Sequence, residues 1–411
     1  MRPLPPALNR IVDQVAPTQH APPKSRAFLS ALVAITATGP LAVHIILPAL
    51  PVLQEHFAVG PAVAQAALSI ALLVMAGCML CYGPLSDRYG RRAVLFGGLG
   101  LLGAGSALCA LAPTIEVLLA GRMLQAAGAG VGMVIARAIV RDVYDLDSSA
   151  TPLAYLTVAY AVVPALAPAI AGQIMDHLGW RAVFGLAAIA AVAILVWVAV
   201  ALPETHAGRA SRVRGAYWRG VRQLARSPRF WGFALNGAGT TAAFFAYVSA
   251  TSFLMKSTLG RPASEYGLYF IMIAGSYVLG NLVAGRLGAR FRLETYVIAG
   301  TVAQLAMHAL LAIAIALLPL SPLAMFLPLA GATFFQGFSM PNSMAAAISV
   351  DKTLAGTASG VVGFLQMTGG AAFSEIVAAA ADGTAWPMVI ATFAGTAFAL
   401  VATMMGIRAS R

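Results

Sequence analysis

Long runs of apolar residues, separated by short polar or charged connections, dominate the chain. Each run is close to the roughly 20 residues that an α-helix needs to cross a bilayer. Inside hydrocarbon every backbone polar group must be bonded within the protein, so runs of this length are helical. Twelve such runs occur, at about residues 28–50, 62–82, 93–112, 115–138, 152–175, 181–202, 229–255, 265–285, 295–318, 323–346, 354–381 and 385–406. The pattern predicts an all-α polytopic membrane protein with twelve transmembrane helices.

The longest polar connection divides these runs six and six. It is rich in arginine, and basic residues concentrate in the connections on the same side of the predicted membrane. The positive-inside rule places that side, with both termini, in the cytoplasm. We therefore expect four regions: a disordered cytoplasmic tail (1–27), an N-terminal six-helix bundle (28–202), a cytoplasmic central loop (203–228) and a C-terminal six-helix bundle (229–411).

A weak internal repeat supports two related halves. The sequence GRMLQ at 121–125, in the fourth run, aligns with ATFFQ at 332–336 in the tenth. Matches at corresponding places are expected for two parallel six-helix halves. We therefore predict that the two bundles are related in structure.

Composition agrees with this architecture and narrows the function. Hydrophobic residues make up 60% of the chain and charged residues 10%, whereas a soluble domain carries about a quarter charged residues. The net charge of +12 comes mainly from connections, which favours contact with the lipid bilayer over binding to nucleic acid. The sequence has no glycine-rich phosphate loop, and its six histidines are scattered. We therefore expect neither an enzyme nor a cofactor.

A charged turn separates the second and third runs. It reads GPLSDRYGRR at 83–92, and Gly83-Pro84 is expected to end the second helix. The pattern G-x-x-x-D-R-x-G-R-R closely resembles the loop between the second and third helices of the major facilitator superfamily of transporters. This resemblance implies two six-helix bundles that alternate in access to a central site.

The resemblance also implies a cytoplasmic latch between the two halves. Asp87 is expected to pair with a nearby arginine or with the positive N-terminal end of a helix in the other half. Such contacts would exist only while the cytoplasmic face is closed. The alternative is that these charges only determine topology. The predicted latch consists of Gly83, Asp87, Arg88, Gly90, Arg91, Arg92, Arg137 and Arg141.

Arg122 is the most costly residue in the fourth run. A guanidinium in an apolar helix costs several kcal/mol unless it lines a cavity or finds a partner. With Gln125 and Gly128 it resembles the superfamily motif R-x-x-Q-x-x-G. In proton-coupled members that arginine tunes a protonatable group on the first helix, and the resemblance implies this role for Arg122. A structural arginine that reaches towards the membrane surface is the alternative.

The first run contains a histidine, His44, in an otherwise apolar stretch. The sequence LAVHIILPALP at 41–51 resembles the first helix of the Bcr/CflA drug-resistance transporters, which have an aspartate where this chain has His44. His44 either accepts the coupling proton or stays uncharged and bonds a backbone carbonyl or a substrate. Glu375, in the eleventh run, is a second candidate proton site.

The fifth run and the cavity complete the set of candidate residues. Pro164, Pro168 and Gly172 resemble a proline- and glycine-rich segment of exporters, which implies a hinge in the fifth helix. Aromatic and amide side chains recur within the helices, and amides in hydrocarbon need a partner or a wet cavity. Our candidates for the substrate cavity are Gln125, Asn236, Thr240, Phe244, Tyr247, Tyr266, Phe270, Tyr277, Gln336, Asn342 and Gln366.

The resemblance implies a proton-coupled efflux transporter of a bacterial inner membrane, acting as a monomer. Its expected substrates are small hydrophobic drugs or antibiotics of the phenicol or bicyclomycin kind. Because the first helix lacks an acid, we expect neutral molecules to be preferred over dications. Two other functions stay open: a symporter of the same superfamily that imports a small polar metabolite, and a non-transporting membrane receptor or scaffold.

Overall fold

A computed structural model describes residues 25–144, 149–205 and 216–409. Residues 1–24 of the expected tail and 206–215 of the central loop lie outside the described residues. The described chain contains twelve helices that are long and apolar enough to cross a membrane, which confirms the predicted number. We call them spans 1 to 12: Arg26–Phe57, Pro61–Tyr89, Arg91–Ala110, Ile115–Val143, Thr151–Leu178, Trp180–Ala201, Pro228–Thr258, Ala263–Leu287, Leu293–Leu317, Pro322–Ser349, Ala355–Ala379 and Trp386–Arg408.

Successive spans run in opposite directions, so the connections between them alternate between the two ends of the bundle. Span 1 begins and span 12 ends at one end, which we call the termini end; we call the opposite end the far end. A short helix, Ala216–Leu224, precedes span 7 at the termini end. The described part of the central connection thus continues into the second set of six spans.

Span 1 is interrupted near its middle. A regular helix, Arg26–His44, is followed by a 3₁₀ turn at Leu47–Ala49 and a second helix at Leu50–Phe57. Pro48 and Pro51 lack the N–H group that a continuous helix would use, so they favour the break. Non-helical backbone at membrane depth is tolerated where it is buried in protein or lines a cavity. The predicted end of the first run, near residue 50, was seven residues short.

Span 2 does not end where Gly83-Pro84 suggested. The helix continues through Pro84 to Tyr89, and the chain turns at Gly90, whose φ is 92°. A proline removes one backbone donor and bends a helix without having to end it, and here the helix continues for five residues beyond Pro84. Only Gly90, with its positive φ, permits the sharp reversal into span 3. The expected helix end was therefore wrong.

The buried apolar clusters show how the two sets of spans meet. One cluster joins residues of spans 1–6, such as Leu47 and Phe184, to residues of spans 7–12, such as Tyr247 and Phe270. Two further clusters, at the termini end, are each confined to one set of spans. The two halves are thus packed together most extensively towards the far end and keep separate cores at the termini end.

Two glycines allow the closest approach between spans 5 and 8. A Cβ atom at Gly172 would collide with the carbonyl oxygen of Ala263, and one at Gly267 would lie 2.5 Å from the Cα atom of Ala169. Small residues let helix backbones approach closely in membranes. Pro164 and Pro168 lie within the unbroken helix Ala150–Leu178; Pro168 contacts Gly267 at this crossing, and Pro164 lies one turn before it.

We expect Gly172→Ala to lower the thermal stability of the purified protein. The added methyl group must push the two spans apart, at a cost of roughly 1–3 kcal/mol. Gly185→Ala is the matched control, because nothing lies within 4 Å of a Cβ atom there. A helical glycine replaced by alanine otherwise gains up to about 1 kcal/mol. Equal unfolding temperatures for the two variants would contradict the close crossing.

Candidate transport site between the two halves

Arg122 is fully inside the protein and holds three spans together. Its side chain is 1% exposed. Nε donates to the carbonyl of Ala67 in span 2 at 2.8 Å, and one Nη donates to the carbonyl of Ala42 in span 1 at 2.9 Å. The same Nη also donates to the Oε1 atom of Gln125. The described partners of this buried charge are therefore carbonyl dipoles, and no carboxylate is among them.

Gln125 extends this network to a further span. Its Nε2 atom donates to the hydroxyl of Ser106 in span 3 at 2.8 Å. Because both ends of the amide are occupied, Gln125 serves to position Arg122 and does not present a free polar group to a cavity. The second Nη of Arg122 has no described hydrogen-bond partner.

His44 lies at the break in span 1, and its described contacts differ from those of Arg122. Its ring is 9% exposed, and Nδ1 lies 2.8 Å from the carbonyl oxygen of Pro40. A carbonyl can only accept, so Nδ1 carries the hydrogen. In the neutral ring, Nε2 is then the atom that can accept a proton or a hydrogen bond.

Three phenylalanine rings from the other half surround His44. The ring centroids of Phe244 and Phe245 in span 7 lie 6.5 and 6.3 Å from that of His44, and Phe270 in span 8 lies at 6.0 Å. Phe244 in turn contacts Tyr247 at 5.5 Å. An imidazole of the first half therefore lies in an aromatic enclosure supplied by the second, at the contact between the two halves.

Two buried polar groups of the second half, in spans 7 and 11, have no described partner. They are the hydroxyl of Tyr247, whose side chain is 1% exposed, and the Nε2 amide nitrogen of Gln366, whose side chain is 4% exposed. A buried donor without a partner costs about 1–3 kcal/mol. Such groups are suited to a bound polar atom or to water.

The other predicted cavity residues make bonds within the second half. Asn236 donates to Thr301 at 3.0 Å, and Gln336 donates to the carbonyl of Thr240 at 3.2 Å. Tyr266 donates to the carbonyl of Val248, Tyr277 contacts the sulfur of Met340, and Asn342 donates to the carbonyl of Phe338. The described hydrogen bonds of these side chains thus stabilise spans 7–10.

Glu375 lies in a polar cluster that joins the halves near the far end. Its Oε2 atom accepts from the hydroxyl of Ser69 in span 2 at 2.6 Å. One turn away, Gln65 accepts from Ser249 of span 7 at 2.6 Å, and its Nε2 atom has no described partner. The cluster is a hydrogen-bonded contact between spans 2, 7 and 11.

Further hydrogen bonds between the halves lie at the far end. Ser252 donates to the carbonyl of Leu47 at 2.5 Å. The carboxylate of Asp176, at the end of span 5, accepts from the backbone nitrogens of Ala263 and Ser264 at 3.3 and 3.0 Å. These nitrogens begin span 8, so an acid of one half caps a helix of the other.

At the termini end, Asp87 is bonded within its own half. Arg91 lies between two carboxylates, with Nη1 2.6 Å from Asp87 and Nε 2.9 Å from Asp142. Arg88 lies over the ring of Tyr89 at 5.1 Å. The turn therefore has the charges of the expected latch, with its described ion pairs formed inside the first six spans.

The remaining residues of the predicted latch have separate positions. Glu204 accepts from the backbone nitrogens of Arg91 and Arg92 at 2.9 and 3.0 Å, so it caps span 3. Arg92 also donates to the carbonyl of Ala199 at 2.7 Å. Gly83 lies inside span 2, Gly90 makes the turn, and Arg137 and Arg141 are exposed on span 4.

Several residues of these networks escaped the sequence analysis. Asp142, Glu204 and Asp176 are acids within three residues of the C-terminal end of a span, where the dipole of their own helix does not favour them, so they bond groups of other elements. That position is visible in the sequence, but the group that each acid bonds is not. Phe245 and Ser69 carry no local signal, because an apolar or small residue in an apolar run is ordinary.

The chain is similar in sequence to known bacterial proteins and in fold to a solved structure. Multidrug resistance protein D of Escherichia coli K12 is 27% identical over 352 residues, which cover 84% of this chain and 87% of that protein. The chloramphenicol resistance protein of Pseudomonas aeruginosa is 32% identical over 252 residues, covering 60% and 58%. A bacterial homolog of the human lysosomal transporter Spinster, solved inward-facing and unoccupied, has a TM-score of 0.73 at 15% identity, covering 93% of this chain and 96% of that one.

Twelve spans among the described residues, with a buried polar and aromatic site where the first six meet the last six, are the architecture of a polytopic membrane protein. The family model of the Major Facilitator Superfamily matches residues 26–374, and the chain belongs to that superfamily. It is a multi-pass integral protein of the bacterial inner membrane, and it is a transporter and not an enzyme. The expected resemblance to drug-resistance members is confirmed by the relatives found.

We expect Arg122→Ala to destabilise the protein more than Arg122→Met. Both variants lose the three described hydrogen bonds, which destabilises the protein. Both also remove the free-energy cost of burying a charge. Alanine also leaves a cavity, which adds roughly 2–3 kcal/mol, while methionine fills most of the space. Thermal unfolding of the two purified variants measures the difference. Equal losses would mean that the hydrogen bonds, and not the packed volume, decide the stability at this position.

Proposed function

We propose that the protein is a proton-coupled exporter of small, neutral, mostly apolar compounds. They belong to the class of antibiotics for which its relatives are named as resistance proteins. The observation that carries this proposal is the position of His44, whose ring from one half lies among Phe244, Phe245 and Phe270 of the other. The site offers aromatic surface, one imidazole nitrogen and few charges. A neutral aromatic molecule with one or two polar groups fits that chemistry better than a dication.

Proton coupling in this proposal depends on His44. A protonated imidazole among aromatic rings and apolar side chains is costly, although ring faces partly offset that cost. A substrate that donates to Nε2 and a proton at the same atom exclude each other. Competition for one nitrogen is sufficient to exchange a substrate for a proton. Arg122 contributes a fixed positive charge nearby in the fold, and Glu375 is the second candidate site.

Both termini are proposed to be cytoplasmic, since the basic residues of the connections lie at the termini end. Under that assignment the halves are closed on the outside and have separate cores on the inside. This arrangement supports an inward-facing state, from which a substrate enters and is later released outwards. We also propose that the chain acts as a monomer.

The latch is proposed to act in the opposite, outward-facing state. In the described state Asp87 bonds Arg91 of its own half. When the termini end closes, the same carboxylate would come within reach of a helix end in the other half. Arg91 would then keep its bonds to Asp142 and to the hydroxyl of Ser86. The helix-five residues Pro164, Pro168 and Gly172 would bend span 5 during this change.

The central test is transport in everted membrane vesicles with an imposed pH gradient. We expect uptake of chloramphenicol by the parent protein, with little uptake of a dicationic dye. His44→Ala should lower pH-driven uptake by about tenfold or more, equivalent to at least about 1.4 kcal/mol of coupling. Arg122→Met, which keeps the space filled, should lower it as well. His308→Ala is a matched control. His308 of span 9 is also buried, but it contacts Thr396 of span 12, so both residues belong to the second half.

Retained pH-driven uptake in His44→Ala would move the coupling site, first to Glu375, and Glu375→Gln tests that position. Uptake of cationic dyes without phenicols would contradict the substrate class. Sensitisation of expressing cells to a polar compound, in place of protection, would favour the importer. A lack of flux under every gradient would favour the receptor or scaffold.

The far-end cap gives a separate prediction about conformation. Asp176→Ala removes both bonds to the start of span 8, so we expect a larger outward-open population. The distance between spin labels at positions 111 and 318, one exposed far-end site in each half, should increase in a background without the native cysteines. Asp382→Ala is the control, because Asp382 bonds Thr384 in its own connection. An equal distance change in both variants would contradict a gate at Asp176.

A further inference from the structure

The short helix Ala216–Leu224 presents a basic and aromatic face away from the protein. With 100° between successive residues, Trp218, Arg219 and Arg222 fall within an arc of about 100°. Trp218 is 68% exposed, and both arginines are exposed. Arg226, one turn after Arg222, is exposed as well. Residues 216–226 contain no acidic residue, so this face is uniformly positive.

The opposite face is fixed to the second half of the protein. Leu224 is 2% exposed and belongs to a buried cluster with Phe230 and Val362. Gly220 is buried, and a Cβ atom there would lie 3.1 Å from a methyl group of Leu354 at the start of span 11. The helix is therefore held in a defined orientation, with its basic face outwards.

A polar tether adds to this attachment. Gln223 donates to Oδ2 of Asp351 at 2.9 Å, in the connection that precedes span 11. The other oxygen of Asp351 accepts from the backbone nitrogen and the hydroxyl of Thr353 at 2.9 and 2.6 Å. These bonds lower the pKa of the Asp351 carboxyl below its ordinary value. Asp351 thus stays an ionised acceptor at neutral and mildly acidic pH.

We propose that the outward face of this helix, Trp218, Arg219, Arg222 and Arg226, binds the headgroups of anionic phospholipids. The helix ends four residues before span 7 begins at Pro228, and the start of a membrane span lies at the membrane surface. An indole favours the boundary between headgroups and water. Each basic residue near an anionic surface contributes about 1 kcal/mol. The charge and the position together select a lipid surface as the partner.

The attachment gives this lipid site a mechanical role. The helix contacts the start of span 11 at Gly220 and the preceding connection through Gln223, and span 11 carries Glu375 towards its other end. Anionic lipid bound to the helix restrains the start of a span that takes part in the contact between the halves. The binding site itself does not depend on which compound is transported.

The test uses the full chain reconstituted with either neutral or anionic phospholipid. Brominated phosphatidylglycerol and brominated phosphatidylcholine serve as quenchers of tryptophan fluorescence. We expect stronger quenching by the anionic lipid, weaker quenching at high salt, and loss of the excess quenching in Trp218→Phe. The double variant Arg219→Gln with Arg222→Gln should bind anionic lipid roughly 30-fold less tightly, from about 1 kcal/mol for each charge.

The matched control is Arg286→Gln with Arg290→Gln, which removes two exposed charges at the same end of the bundle. It should leave the excess quenching unchanged, and thermal unfolding checks that all variants are folded. Equal quenching by both lipids in the parent protein would overturn the proposal. So would an equal loss in the control variant, or tight binding of an oligonucleotide to the same face with no lipid preference.

Discussion

A polar group inside hydrocarbon must find its partner within the protein, and this constraint organises the interior of both halves. In the first half, Arg122 of span 4 satisfies it by bonding the carbonyls of spans 1 and 2. In the second half, the aligned Thr333 of span 10 donates to the carbonyl of Ile273 in span 8, and Gln336 donates to span 7. The same pattern of inter-span ties is thus built once with a charge and once without, and only the first half bears the cost of the charge.

Hydropathy and the cost of isolated charges account for what the sequence analysis predicted correctly. Twelve apolar runs become twelve spans because length and composition alone decide whether a segment crosses a membrane. Arg122 was identified because a guanidinium in an apolar run has few acceptable environments. The end of span 2 was not predicted, because the reversal depends on the backbone of Gly90 and on the cap from Glu204, which follows the end of span 6.

The surroundings of His44 lay beyond sequence reasoning for a related reason. Helical periodicity identified Phe244 and Phe270 as residues of polar or aromatic faces, but it could not bring span 1 against spans 7 and 8. Phe245 was missed because it is one residue from Phe244 and points about 100° away along the helix. Its contact with His44 exists only through the packing of one half on the other, which no local pattern contains.

The cap from Asp176 lies where spans 5 and 8 reach the far surface, and this position sets the energetic cost of separating the halves. When Ala263 and Ser264 lose the carboxylate, water can replace it, and the net loss is about 1 kcal/mol for each bond. The same separation in mid-membrane would leave bare amide groups at several kcal/mol each. A transporter that closes with directional bonds at its wet rim, and with aromatic surface at its centre, can therefore reopen within a thermally accessible range.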